Sequence, residues 1–157
     1  MLYIICALKS EAQAFVDKYK LTKSKQNSEV TLIVSGIGRE SMFNASKKIL
    51  PQMSKTDIIV NIGICGANKS YKIGQLIDGF ANNLSCVNEA VTNDSIYELV
   101  DMESAGFIQA TKAIKNRYIF KIVSDHFEPH KVTKEATKQL IFNAIDDINV
   151  LIYNKGK

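Results

Sequence analysis

Two acid-bearing stretches stand out for the chemistry they could do. Leu99-Val-Asp-Met-Glu-Ser-Ala-Gly106 places two acids and a methionine at the mouth of an expected helix. Tyr118-Ile-Phe-Lys-Ile-Val-Ser-Asp125 runs a mostly apolar strand straight into a Ser-Asp pair. A third acid, Glu11, follows the apolar run Leu2–Leu8 and falls in the first turn of the next helix. Acids at the ends of apolar segments hold charge without burying it. They are also where enzymes keep carboxyl groups that give or take protons. Each has a simpler reading beside this one. Glu11 is a first-turn acid favoured by the helix dipole, Asp101 an N-cap-like acid, Met102 a core side chain and Asp125 a cap at the start of a loop.

The elements that must position these residues follow from the apolar pattern. Leu2–Leu8 is continuous, as in a strand buried on both faces. Ser10 with Gln13 forms a capping-box pattern that opens a helix through about Tyr19. Residues 21–29 read as a polar loop, and Val30–Val34 as a second buried strand. That strand ends in Ser35-Gly-Ile-Gly38, ahead of a helix over Glu40–Leu50 that stops before Pro51. Gly36 and Gly38 would let a ligand approach the backbone at the helix N-terminus, although on spacing alone a bare tight turn is the better explanation. Asp57–Ile62 is a third strand, ending in a turn Gly63-Ile-Cys-Gly-Ala67, and Ile73–Ile77 a further one. Leu84–Val87 fits a short strand and Thr92–Ser95 a turn. Asp101–Lys115 has a helical stripe, Tyr118–Val123 forms the last strand, and Val132–Tyr153 is a long amphipathic helix. Apolar strands alternating with helices mean an α/β fold with a mainly parallel or mixed central sheet flanked by helices in three layers. Ligands of such sheets bind beyond the carboxyl ends of the strands, where Glu11, the Gly36–Gly38 turn, the Gly63–Gly66 turn and Asp125 all converge.

Composition narrows the partners. A chain of 157 residues is expected to fold as one domain, 1–157. The net charge of +4 comes without a basic run or interleaved aromatics, so nucleic acid is not implied. Neither a full signal-peptide pattern nor the roughly 20 consecutive apolar residues of a membrane span is present, so no membrane partner is expected. Cys6, Cys65 and Cys86 are odd in number and widely spaced, which suits reduced, buried thiols in a cytoplasmic protein. His126 and His130 flank Phe-Glu-Pro, but Pro129 breaks any i, i+4 presentation and no cluster completes a ligand set. They read as a surface-loop pair, with His126 placed to touch a substrate, and no metal or organic cofactor is expected.

Several pieces together resemble one family. Ile4-Ile-Cys-Ala-Leu-Lys-Ser-Glu11, Ser35-Gly-Ile-Gly38, Val60-Asn-Ile-Gly-Ile-Cys-Gly-Ala67 with Ile73-Gly74, Val100-Asp-Met-Glu-Ser-Ala105 and Ile122-Val-Ser-Asp125 occur in the order seen in the nucleoside phosphorylase/nucleosidase superfamily. The resemblance is strongest to methylthioadenosine/S-adenosylhomocysteine nucleosidases and futalosine hydrolases. It implies a nucleoside phosphorylase-like fold and cleavage of a ribose N-glycosidic bond. Positive charge then grows on the sugar and negative charge on the departing base. By that resemblance Asp125 protonates N7 of a purine, which requires a pKa raised toward the working pH. Ser124 orients Asp125, Glu103 accepts hydrogen bonds from the ribose hydroxyls, Met102 packs on the sugar face, and Glu11 activates the attacking water. Gly36, Gly38, Gly63, Cys86 and Val87 complete the expected nucleoside site, and a homodimer is implied by analogy.

Two departures shape the expected chemistry. Phosphorolytic relatives grip phosphate around the Gly63 turn with an arginine and a serine, where Asn61 and Ile64 stand here. Arg39 offers the alternative cation. Water is therefore the expected nucleophile, with phosphorolysis and a silent nucleoside-binding module as the alternatives. The chain is also shorter than typical members between about Ile77 and Cys86, and Ser85–Glu89 stands where backbone contacts to the base are expected.

Overall fold

The computed structural model describes residues 1–92 and 96–154. Its centre is the strand β3, Ile58–Ala67, long enough to serve three neighbours. On one edge its first half pairs in parallel with β1, Leu2–Cys6, which in turn pairs in parallel with β2, Val30–Val34. On the other edge it pairs in parallel with β7, Arg117–Asp125, almost along its whole length. β7 carries β4, Leu76–Asp78, antiparallel on its far side. Beyond the end of β1, the last residues of β3 pair antiparallel with β6, Leu99–Asp101, and β6 pairs in parallel with β5, Leu84–Cys86. The seven-stranded sheet is thus mixed with a parallel centre, as the alternation of apolar runs implies.

Helices cover both faces. α1, Lys9–Tyr19, and α4, Lys134–Asn154, bury Phe15, Ile141, Ile145 and Ile148 against Ile4, Val60, Ile62 and Phe120. α2, Arg39–Ile49, and α3, Ser104–Ala110, bury Met42, Ile49 and Phe107 against Tyr3, Ile5, Ile59 and Ile119. The alternate residues of each strand divide between these two cores because side chains alternate along a strand.

Several expected boundaries move, each for a local reason. The cap of α1 is not Ser10 with Gln13: Glu11 reaches back to the Leu8 N–H, while Gln13 donates to Asp17. α4 opens at Lys134 rather than Val132 because the Thr133 hydroxyl accepts from the Ala136 N–H. Ile73 and Gly74 lie in the turn leading into β4. The stretch 101–115 is not one helix: Asp101 ends β6, and only Ser104–Ala110 is helical. Gly63 lies inside β3, not in a turn after it. The turn expected over Thr92–Ser95 lies, apart from Thr92, outside the described residues.

Candidate functional site

The ends of β1, β3, β6 and β7 surround a cavity of about 370 Å³. Glu11, Met102, Glu103, Ser124, Asp125 and Val87 all line it, so most residues singled out in the sequence meet in one place. Its apolar walls come from Ala7, Leu8, Ile37, Ile64, Val91 and Val132. Four other expected residues stand behind the lining. Gly36 and Gly38 flank Ile37, Cys86 precedes Val87, and Gly63 is buried under Glu11.

Glu11 is seated by backbone. β1 ends at Cys6 and β6 begins to pair only at Gly66, so one edge of β3 is left without a strand between them. The Ile64 N–H on that edge donates to Glu11 Oε1 at 2.9 Å. Oε2 accepts from the N–H groups of Ala7 and Leu8 at 3.0 and 2.9 Å. A Cβ on Gly63 would stand 2.8 Å from Oε1, so the glycine makes room for the carboxylate. Burial pushes the Glu11 pKa up, opposed by the Lys121 ammonium and by the N–H groups of Ile64 and Leu8.

Glu103, also buried, faces Glu11 from the turn between β6 and α3, and its Oε2 accepts from the Gly38 N–H at 2.8 Å. Gly36 and Gly38 have φ of +88° and +103°, a region that favours glycine, and this conformation presents the Gly38 N–H to the acid. Burial raises the Glu103 pKa too, and Lys121 again pulls against it.

Asp125 lines the same cavity from the end of β7. Its Oδ1 lies 2.6 Å from Ser124 Oγ, which is also 3.2 Å from the Cys65 carbonyl, and its Oδ2 accepts from the Glu128 N–H at 2.9 Å. His126 leans away, its Nε2 2.8 Å from the Tyr71 carbonyl. Among the described residues no group of three or more His, Cys, Asp or Glu side chains could hold a metal ion. Cys6 and Cys65 are buried and Cys86 half-buried, all three unpaired, and burial pushes the Cys65 thiol up to about 12.

Sequence reasoning missed Lys121. Its ammonium is sealed from solvent beneath Glu11, Glu103 and Asp101, and lies 3.0 Å from Asp101 Oδ2. Burial works to lower its pKa, but Asp101, Glu103 and Glu11 together outweigh that and hold it above the usual lysine value. The available signal was a single lysine inside the apolar run Tyr118–Val123, because a charge in a buried strand needs countercharges nearby. Asp101 does more than cap: it takes the N–H and hydroxyl of Ser104 as well as the lysine. Asn61 is buried in the sheet, donating to the Ile5 carbonyl, with no partner for its Oδ1 among the described residues. Arg39 is exposed and donates to the Cys86 carbonyl at 3.4 Å.

The layering, the sheet order and a cavity at the strand ends define a nucleoside phosphorylase-like α/β fold. Solved structures that share it include nucleosidases and a futalosine hydrolase. A protein proposed to be a 5′-methylthioadenosine/S-adenosylhomocysteine nucleosidase, from Francisella philomiragia, superposes with a TM-score of 0.74 at 11% identity, over 96% of this chain and 97% of that one. The 5′-methylthioadenosine/S-adenosylhomocysteine nucleosidase of S. pneumoniae, solved with the transition-state inhibitor MT-ImmA, gives 0.66 at 15% identity over 90% and 96%. The futalosine hydrolase of Helicobacter pylori gives 0.68 at 11% identity over 93% and 97%. No protein-family model matches the sequence, and no curated protein matches it.

Proposed function

We propose that the protein hydrolyses the N-glycosidic bond of a purine nucleoside, or of a 5′-modified purine nucleoside, to free base and a ribose derivative. The observation that carries this reading is one cavity lined by Asp125, Glu11 and Glu103 together. Lys121, the one buried cation among the described residues, is already committed to Asp101. An anionic nucleophile entering such a site meets net negative charge, whereas neutral water does not. The likeness of fold to nucleosidases supports the same reaction class.

In this reading Asp125 gives a proton to the departing base while Ser124 holds the carboxyl plane. Glu103 accepts from the ribose hydroxyls and stabilises the cationic sugar, with Met102 against its face. Glu11 takes a proton from the attacking water; burial makes it a better base, and its three backbone donors fix its aim. Val87 lines the space for the base. A cytoplasmic setting fits the three unpaired thiols, and a homodimer is the expected assembly, read out by sedimentation.

Base release from methylthioadenosine, S-adenosylhomocysteine, futalosine, adenosine and inosine, with and without phosphate, tests the proposal beside Asp125→Asn. Phosphate-independent release, lost in the variant, is the expected result. Release only with phosphate makes the enzyme a phosphorylase. Binding without release makes the protein a nucleoside-binding module.

A further inference from the structure

Phe127 is a buried aromatic residue with a left-handed backbone, φ +57°, a region that a bulky side chain rarely adopts. It follows Asp125 by two residues and precedes Glu128, whose N–H returns to Asp125 Oδ2 at 2.9 Å. The left-handed residue turns the chain as it leaves β7, so that the next N–H points back at the carboxylate. The ring itself explains why phenylalanine stays in that conformation. It is 1% exposed, and its Cδ1 lies 3.3 Å from where a Cβ on Gly66 would stand. The same point is 3.2 Å from Val100 Cγ2 and 3.7 Å from Asp125 Oδ2. Gly66 and Asp125 line the cavity, while Phe127 does not.

We propose that Phe127 is a positioning residue: its buried ring, admitted by Gly66, locks the turn that aims the Glu128 N–H at Asp125. Ser124 Oγ stands on one carboxyl oxygen and the Glu128 N–H on the other, so the plane of the group is fixed before a base arrives. The catalytic consequence rests on reading Asp125 as the acid; the mechanical coupling does not.

The test compares Phe127→Gly with Phe127→Leu. Glycine adopts the left-handed region freely but removes the ring, whereas leucine keeps an apolar anchor. In Phe127→Gly the Glu128 amide is expected to exchange with solvent at least about tenfold faster, with the β7 amides of Ile119–Val123 unchanged. The value of kcat for base release is expected to fall by about a hundredfold, the scale of a 1 Å misplacement, with KM within about threefold. Phe127→Leu keeps most of both. In an Asp125→Ala background the Glu128 amide has no carboxylate to lose, and Phe127→Gly is expected to free it no further. Unchanged Glu128 exchange in Phe127→Gly, or an undiminished further rise on top of Asp125→Ala, overturns the proposal. If Phe127→Gly does not fold, Phe127→Asn, which also tolerates the left-handed region and lacks the ring, must free the Glu128 amide; protection equal to that of the unaltered protein overturns the proposal. If the unaltered protein releases no base, the hydrolase reading fails, and the amide comparison still decides the positioning role.

Discussion

The Lys121 ammonium lies 3.0 Å from Asp101 Oδ2, with both side chains closed to solvent. The same carboxylate holds the first N–H and the hydroxyl of α3 through Ser104. One buried ion pair therefore ties the middle of β7 to the turn that carries Met102 and Glu103. It also places a positive charge beneath Glu11 and Glu103, each of which burial alone would push toward the neutral form.

Removing that charge leaves Asp101 buried without its partner. Lys121→Met is expected to cost about 3–5 kcal/mol of stability, the scale for breaking one side of a buried pair. Adding Asp101→Asn to it is expected to cost less than the sum of the two single changes. Urea unfolding of the four proteins closes the cycle, and strict additivity would show that the pair does not act as a unit.

What the sequence made legible, and what it did not, divides by range. β1, β2 and β7 could be read because a strand buried on both faces needs a continuous apolar run, and Asp125 could be placed because it ends one. The helical stripe from Asp101 misled, because its first residue is claimed by pairing with β5 and by Lys121, partners distant in sequence. Gly63 reads locally as a turn; only the carboxylate arriving from α1 explains a glycine in mid-strand. Lys121 looked like an ordinary lysine until three acids from other segments closed on it.

The raised pKa values of Glu11 and Glu103 carry a pH dependence of stability. A carboxyl whose folded pKa lies above its unfolded one binds more protons in the native state between the two values. Stability is then greatest below the unfolded pKa, near 4.5, and falls as pH rises through the folded value. These two sites are expected to make the protein gain stability on mild acidification from neutrality, and Glu103→Gln to flatten that slope. Urea midpoints between pH 5 and 7 measure both. An equal slope in the variant would remove Glu103 from the account.

Gly106→Ala inverts a familiar expectation. Alanine normally stabilises a helix interior over glycine by about 1 kcal/mol. Here a Cβ would run into the Arg39 carbonyl oxygen, where α3 meets the first residue of α2. The change is expected to destabilise by about 1–3 kcal/mol as overpacking, because backbone must move to admit it. The displaced first turn of α2 draws the Gly38 N–H away from Glu103 Oε2, so in the reading proposed above KM for the nucleoside is expected to rise as well. A stabilised variant with unchanged KM would show that the two helices part without disturbing the site.

Gly63→Ala tests the seat of Glu11 directly. The added methyl would lie 2.8 Å from Glu11 Oε1 and 3.4 Å from Lys121 Nζ, so the carboxylate must leave the Ile64 N–H. A buried donor left without its acceptor costs about 1–3 kcal/mol, and the displaced base slows hydrolysis in the reading given above. In a Glu11→Ala background there is no carboxylate to displace, and the same methyl is expected to be tolerated at little further cost in stability or rate. Unfolding and base-release measurements on the four proteins give the coupling. If Gly63→Ala is as harmful without Glu11 as with it, the glycine serves the packing of β3 against β7 rather than the placement of the acid.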